Sequence, residues 1–272
     1  MKIQRILFRL ALAWFGVGGF VHTTTAGAPV DVQQQIIEYK DGDTDLAGVL
    51  VFNAAAKAPA KVPGIVVVSD WMGVGPFAIE RAAKLVELGY IAFVADIYGK
   101  GVHPANAQEA SAQAGKYKQD RKLLRSRVNA ALAVLRSQPG CAAGHIAAIG
   151  YCFGGMAVLE LARSGAPVAG VVSFHGGLVS PTPADAKQIR GKVLVLHGAD
   201  DPNVPPAEVA AFQDEMRSAG VNWQFTAYGG AVHSFTNPKA GNDNSKGVAY
   251  NAQADQRSWQ AMTSFLHELF LQ

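Results

Sequence analysis

The sequence has few cysteines, little charge and no long apolar run beyond its start, and each shortage excludes a class of protein. Two cysteines in 272 residues are too few for a disulfide-stapled fold. Charged residues are only 17%, and no Lys/Arg cluster provides the surface of a nucleic-acid-binding protein. Metal-ligand spacings and the dinucleotide-binding glycine pattern are also missing, so we expect neither a metal nor another cofactor.

Residues 1–26 have the pattern of a secretory signal peptide. A basic start is followed by an apolar run from Ile6 to Val21, interrupted by Arg9, and then by the small residues Thr24-Thr25-Ala26. Cleavage after Ala26 predicts an exported, periplasmic protein that keeps no stable membrane association. An uncleaved membrane anchor is the alternative, although the glycines within the run weaken it as a spanning helix.

The remainder of the chain has the composition of an ordinary globular protein. Without Lys2, Arg5 and Arg9 of the leader, 21 basic residues balance 21 acidic ones, so no nucleic-acid partner is expected. A hydrophobic content of 49% is sufficient for a sizeable core. Prolines and glycines mark turns but no domain boundary, which predicts a single domain over 27–272 that acts as a monomer on a small molecule.

Strands alternate with helices along this domain. The segment Asp41-Gly42-Asp43 between two strand patterns predicts a hairpin. The alternation predicts an α/β fold, with a mostly parallel central sheet, an antiparallel N-terminal edge hairpin and helices on both faces. The predicted strands are 32–40, 46–52, 64–69, 90–95, 146–149, 167–174, 192–197 and 222–227, and the predicted helices are 76–88, 105–138, 154–162, 206–219 and 251–271.

One stretch, from His145 to Met156, organises the chain. It has the pattern of a buried strand, a sharp turn and a helix, and Gly150-x-Cys152-x-Gly154 has the spacing of a nucleophile elbow with cysteine in place of serine. Glycine is needed where neighbouring backbones approach closely, and the helix N-terminus favours a thiolate and later an oxyanion. The alternative is a buried structural cysteine on a glycine-rich turn.

A disulfide between Cys141 and Cys152 is a second alternative in an oxidising compartment. The strand predicted between them separates the two residues by roughly 17–20 Å, which exceeds the reach of a disulfide. No Cys-x-x-Cys motif supports a thiol-redox protein either. We therefore expect two free thiols.

A thiol nucleophile needs a base and a group that orients the base. In the α/β-hydrolase arrangement the chain order is nucleophile, acid, histidine. The loop after strand 192–197 contains Asp200 and Asp201, and the glycine-rich loop after the last strand contains His233. All follow strand ends, where open α/β sheets place their sites. The residues alone do not show which aspartate orients the base, since either could be a turn residue or a helix cap. The alternative for His233 is a histidine in a surface loop.

Several motifs together resemble the dienelactone hydrolase family of α/β hydrolases, over nearly the whole mature chain. They are Gly150-Tyr-Cys-Phe-Gly-Gly155, Gly198-x-x-Asp201-x-x-Val204-Pro205, His233-Ser-Phe-Thr-Asn-Pro238, Asp41-Gly-Asp43 and the segment from Leu88-Gly-Tyr90 through Asp96-Ile-Tyr-Gly99.

The resemblance implies roles for particular residues. Cys152 would be the nucleophile and His233 the base. Asp201 would be the third member, because the family acid lies three residues before the valine of Val-Pro. The backbone N–H groups of Trp71 and Phe153 would form the oxyanion hole. The implied reaction is cleavage of a lactone or carboxylic ester through an acyl-enzyme, and a catalytically silent binding protein with the same fold is the alternative.

The sequence departs from the family pattern at the loop after strand 64–69. The family has a glutamate there that contacts the resting thiol, whereas this chain has Asp70, which is one methylene shorter. We expect Asp70 to modulate the thiol; the alternative is a carboxylate that caps the turn at Gly73.

Other residues are candidates for the substrate pocket. Tyr98, His175 and Phe235 are predicted to line it. Family enzymes hold a substrate carboxylate with arginines, and the candidates for that role in this sequence are Arg81, Arg121 and Arg125.

Overall fold

A computed structural model describes residues 30–56 and 60–270. The predicted signal peptide at 1–26 therefore lies outside the described residues. Within the described ranges, no helix combines the length and the apolar character needed to cross a membrane.

Eight strands form one sheet in the order β1-β2-β4-β3-β5-β6-β7-β8. The pairs β1/β2 and β2/β4 are antiparallel and the other neighbouring pairs are parallel. This confirms the predicted mostly parallel sheet with an antiparallel hairpin at its N-terminal edge. The strands are β1 (Val32–Asp41), β2 (Thr44–Asn53), β3 (Val62–Val68), β4 (Ile91–Val94), β5 (Cys141–Tyr151), β6 (Gly170–Phe174), β7 (Lys192–Gly198) and β8 (Trp223–Tyr228).

Helices cover both faces of the sheet, as predicted. Alternate strand residues point to opposite faces, so that Val66 belongs to the core beneath α2, α3, α4 and α5, and Val67 to the core beneath α1 and α6. The helices are α1 (Pro76–Glu87), α2 (Ala107–Gln119), α3 (Arg121–Ser137), α4 (Phe153–Arg163), α5 (Pro206–Ala219) and α6 (Ala252–Phe270).

Most element bounds differ from the sequence prediction by a few residues, and two differences change how the chain is divided. The single helical region predicted over 105–138 is two helices, because Asp120 leaves the helical conformation and its side chain accepts a hydrogen bond of 2.9 Å from the backbone N–H of Leu123. This cap begins α3. Cys141 is the first residue of β5 and not part of the preceding turn, and both Cys141 and Cys152 are free cysteines, as expected.

Candidate active site

Cys152 lies at a strained turn between β5 and α4. Its backbone has φ 54 and ψ −113, a left-handed conformation that is unusual for a residue with a side chain. A Cβ on Gly150 would lie 2.0 Å from the carbonyl oxygen of Gly154, and one on Gly154 would lie 2.1 Å from that of Val68. Only glycine fits at either position, which supports the elbow interpretation of the motif.

A hydrogen-bonded chain connects Cys152, His233 and Asp201. The sulfur of Cys152 lies 3.0 Å from Nε2 of His233, and Nδ1 of His233 lies 2.8 Å from Oδ2 of Asp201. These residues follow β5, β8 and β7, so the tertiary structure brings together all three side chains that the sequence predicted.

His233 is biased toward its charged form. Burial disfavours the imidazolium, but the hydrogen bonds to Asp201 and Cys152 outweigh it and raise the pKa of His233 to about 10. A protonated His233 places a positive charge 3.0 Å from the sulfur of Cys152.

The structure distinguishes between Asp200 and Asp201 as the partner of His233. Asp201 is 4% exposed, and its other carboxylate oxygen accepts from the backbone N–H of Asn203 at 2.8 Å. Asp200 is exposed, and among residues 30–56 and 60–270 its carboxylate accepts only from the backbone N–H of Gly230, at 3.0 Å. Only Asp201 orients the imidazole.

The two backbone N–H groups predicted as oxyanion donors are available. Within the described part of the chain, neither Trp71 nor Phe153 donates its backbone N–H to a protein acceptor. The hydroxyl of Tyr98 donates to the carbonyl oxygen of Trp71 at 2.8 Å and so holds the loop after β3. The ring of Tyr98 also packs on Phe153, with centroids 5.7 Å apart.

Asp70 has a local partner in this structure. Its carboxylate accepts from the backbone N–H of Met72 at 3.0 Å. This contact is of the kind expected if Asp70 caps its turn, the alternative to modulating the thiol. Burial raises the pKa of Asp70, against the Met72 hydrogen bond and the nearby His233, which lower it. Among the described contacts, no hydrogen bond joins Asp70 to Cys152, so control of the thiol stays a prediction.

All three residues predicted to line the pocket are buried. Phe235 is 0% exposed and His175 2%, and a pocket-lining role for them stays a prediction. Both follow strands and therefore fall near the site, but their rings pack against each other with centroids 5.1 Å apart. Tyr98 is 6% exposed and acts on the site through the loop described above.

The three candidate arginines differ in their partners. Arg81 forms an ion pair with Asp255 at 3.0 Å, and Arg125 is bound by Glu160 and Asp185, both at 2.7 Å. Arg121 contacts the sulfur of Met156, one turn along α4 from Cys152, and forms no ion pair with the described residues. It is thus the candidate arginine without a carboxylate at ion-pair distance among the described residues.

Apolar side chains surround the site at its solvent side. Four exposed ones lie in loops at this end of the sheet: Trp71, Met72, Val179 and Val248. Val248 is held beside His233 by a backbone bridge between the two residues. Such a rim suits a substrate with apolar groups.

A separate apolar cavity of about 660 Å³ lies at the opposite end of the sheet. It is bordered by the first residues of β3 and β4 and by the turn before β5. Cys152, Asp201 and His233 are not among the residues described as lining it.

An elbow at the end of a central parallel strand, with an acid and a histidine after the later strands, defines an α/β hydrolase. A family model described as the dienelactone hydrolase family matches residues 49–270. The chain belongs to this family and is a hydrolase.

Three relatives illustrate the similarity. The crystal structure of a dienelactone hydrolase-like promiscuous phosphotriesterase from metagenomic libraries is 41% identical, with a TM-score of 0.83 over 88% of this chain and 99% of that one. An uncharacterised Caenorhabditis elegans protein is 37% identical over 152 residues, which are 54% of this chain and 94% of the relative. A carboxymethylenebutenolidase of a Pseudomonas species is 34% identical over 123 residues, covering 42% and 51%.

Proposed function

We propose that the protein hydrolyses carboxylic esters or lactones through an acyl-enzyme on Cys152. The observation that carries this proposal is the continuous chain from the Cys152 sulfur through His233 to the buried Asp201, with 3.0 Å and 2.8 Å links. This is the arrangement in which a base activates a nucleophile and an acid orients the base.

In the first half-reaction the thiolate of Cys152 attacks the carbonyl carbon and forms a tetrahedral intermediate. The new oxyanion accepts hydrogen bonds from the backbone N–H groups of Trp71 and Phe153, an electrostatic contribution that is often worth several kcal/mol. The C–O bond then breaks, His233 transfers its proton to the leaving oxygen, and the acyl group stays on the sulfur.

In the second half-reaction water releases the acyl group. Neutral His233 accepts a proton from the attacking water, while Asp201 stabilises the imidazolium that forms. The tetrahedral intermediate collapses with expulsion of the thiolate, and the product is a carboxylic acid. For a lactone, the hydroxyl and the acid belong to one product molecule.

Two features of the site guide the choice of substrates. The apolar rim favours esters with apolar groups, and the charge of Arg121 favours a carboxylate at one end of the substrate. The Pseudomonas relative is named for a butenolide, which is a lactone. A panel of neutral esters, carboxylate-bearing esters and lactones therefore covers the range that the site supports.

The test is turnover of this panel by the wild type, Cys152→Ala and Cys141→Ala. We expect Cys152→Ala to lose at least about a thousandfold in kcat, because it lacks the nucleophile. Cys141→Ala is the matched control, since this thiol is 1% exposed and lies at the other end of β5. Near-normal turnover by Cys152→Ala would refute the mechanism, and no turnover of any substrate by wild type would favour a silent binding protein.

Phosphotriesters form a second candidate class, favoured by the 41% identity to a promiscuous phosphotriesterase over 99% of its length. The same thiolate would attack phosphorus, and the same two N–H groups would donate hydrogen bonds to the phosphoryl oxygen. The P–O bond to the aryl group then breaks, and the leaving aryloxide takes the proton of His233. A neutral aryl phosphotriester added to the panel tests this class. Turnover that survives Cys152→Ala would place any such activity elsewhere.

We also propose that the protein is exported after cleavage behind Ala26, on the leader pattern alone. N-terminal sequencing of the exported protein should begin at or near Gly27. A chain that still starts at Met1 in the membrane fraction would refute the cleavage.

A further inference from the structure

His175 belongs to the same cluster as the proposed nucleophile and base, yet the reaction described above gives it no part. The strands β5, β6, β7 and β8 are consecutive neighbours in the sheet. Cys152, His175, Asp201 and His233 follow their respective carboxyl ends. The segments that follow four adjacent strands thus each contribute one side chain to the same end of the sheet.

The ring of His175 is hydrogen-bonded at both nitrogens. Its Nδ1 accepts from the backbone N–H of Cys152 at 3.1 Å, a donor that is shared with the carbonyl oxygen of Phe174 at 3.0 Å. Its Nε2 lies 2.8 Å from Oγ1 of Thr236. Because Nδ1 is an acceptor, the ring proton is on Nε2 and is donated to Thr236. These bonds require a neutral imidazole, since a second proton on Nδ1 would face the N–H of Cys152.

The surroundings keep His175 neutral and fixed. Burial, and then the charge of His233, lower the pKa of His175 well below its usual value. Its backbone has φ 40, an unfavourable conformation for a residue with a side chain that persists where the surrounding structure enforces it. Its ring meets that of His233 edge to face, with centroids 5.3 Å apart and planes at 66°.

A second layer holds the partner of His175 in place. Thr236 is fully buried, and its carbonyl oxygen accepts a hydrogen bond of 2.5 Å from the guanidinium of Arg81. Arg81 is in turn paired with Asp255 at 3.0 Å. Thr236, whose hydroxyl accepts the hydrogen bond from His175, is therefore connected to α1 through Arg81 and from there to α6 through Asp255.

We propose that His175 is a positioning residue: one neutral imidazole fixes the main chain of Cys152 and the ring of His233, and so sets the distance between the sulfur and Nε2. The inference rests on the proposed function, because the two groups it holds are the proposed nucleophile and base. It assigns His175 no contact with substrate.

The first test separates the hydrogen bond from the size of the side chain. His175→Asn keeps an acceptor near the position of Nδ1 and tolerates a positive φ better than most residues. His175→Leu is of similar size and has no acceptor. We expect the Leu variant to lose at least about tenfold in kcat with KM within about twofold, as misplaced reacting groups slow chemistry, and the Asn variant to stay within about threefold of wild type.

The second test measures the thiol without any substrate. The rate of Cys152 alkylation by iodoacetamide is followed against pH. In the Leu variant His233 supports the thiolate less well, so the midpoint should move up by at least about half a pH unit, while the Asn variant should keep the wild-type profile. Thr236→Val, which removes only the acceptor of the His175 proton, should lower kcat about three- to tenfold.

Unchanged kcat and an unchanged alkylation profile in the Leu variant, with only a lower Tm, would overturn the proposal and leave His175 a packing residue. If the Leu variant does not fold, wild-type kcat and a wild-type alkylation profile for Thr236→Val would overturn it equally. A failure of the proposed function is distinguishable, because Cys152→Ala would then retain turnover whatever the His175 variants do to the thiol.

Discussion

The substitution Asp201→Asn tests the orientation of His233 most directly. Both oxygens of Asp201 accept hydrogen bonds of 2.8 Å, one from Nδ1 of His233 and one from the backbone N–H of Asn203. An amide has a single acceptor, so in either orientation its NH₂ group faces a donor. If the NH₂ group faces His233, it donates to Nδ1, and the imidazole must carry its proton on Nε2. Nε2 then has no lone pair with which to accept a proton from water.

The magnitude follows from the bond that is lost. A hydrogen bond to a buried charged group is worth about 1.5–3 kcal/mol, and each 1.36 kcal/mol corresponds to a factor of ten in rate. We therefore expect kcat of Asp201→Asn to fall about 10- to 150-fold, with a larger loss for His233→Ala, which lacks the base. Steady-state kinetics on the best ester of the panel provide the measurement.

The same variant should change how stability depends on pH. The pKa of His233 is raised to about 10 in the folded protein, in part by Asp201. A raised histidine pKa stabilises the fold fully below the unfolded pKa of about 6.5, and this stabilisation disappears as pH rises through the folded pKa. The difference in unfolding free energy between wild type and Asp201→Asn should thus be larger at pH 6 than at pH 10.

Asp200→Asn is the matched control, since this exposed side chain binds only a loop N–H. Its kcat should stay within about twofold of wild type, as is usual for a surface substitution. Wild-type kcat in Asp201→Asn, or a greater loss in Asp200→Asn, would refute the assignment of Asp201.

Four further predictions concern the thiols, a turn, an arginine and a buried ion pair. Iodoacetamide should modify Cys152 but not Cys141 in the native protein, as read by peptide mass spectrometry, because burial raises the pKa of Cys141 to about 11. Asp70→Asn should speed alkylation of Cys152 by iodoacetamide at neutral pH and lower ester turnover, because it removes a negative charge predicted to modulate the thiol. Arg121→Gln should raise KM about fivefold or more for a carboxylate-bearing ester but not for a neutral one. Glu160→Gln should lower the unfolding free energy by about 3 kcal/mol in chemical denaturation, because this fully buried carboxylate pairs with two arginines.

Each of these predictions has a contrary result. Labelling of Cys141 would mean that β5 opens readily. Changes of less than about twofold in both alkylation and turnover of Asp70→Asn would leave Asp70 only the cap of its turn, since an amide can still cap it. Equal KM effects of Arg121→Gln on both esters would remove Arg121 from the pocket. A loss below about 1 kcal/mol for Glu160→Gln, which is typical of an exposed pair, would mean that water reaches this site.

The nucleophile elbow could be predicted from the sequence because its cause is local. The glycine at 150 is required by an approach of 2.0 Å to Gly154 within one strand–turn–helix unit. The glycine at 154 fits the same motif spacing, but its close approach of 2.1 Å is to Val68 of the neighbouring strand β3. The order of strands and helices was equally accessible, because apolar periodicity and turn residues are read from neighbours in the chain. The split at Asp120 was missed because the helical pattern on each side continues through the cap.

Contacts between distant segments decided the rest. Cys152 and His233 are hydrogen-bonded in the structure although they are 81 positions apart in the sequence. Only the folded arrangement of these loops shows that Asp201, and not Asp200, faces the imidazole. The same holds for His175, whose place directly after a strand resembles that of Cys152 but whose partner, Thr236, lies 61 positions away.

The sequence by itself therefore determined the fold class, the family and the residue types of the site, since steric limits and periodicity act over a few residues. The tertiary structure alone decided which aspartate is hydrogen-bonded to His233, which arginine forms no ion pair with the described residues, and that His175 is buried between Cys152 and Thr236. Those outcomes depend on burial and on competition among hydrogen-bond and ion-pair partners, which are set only when segments from different strands and helices pack together.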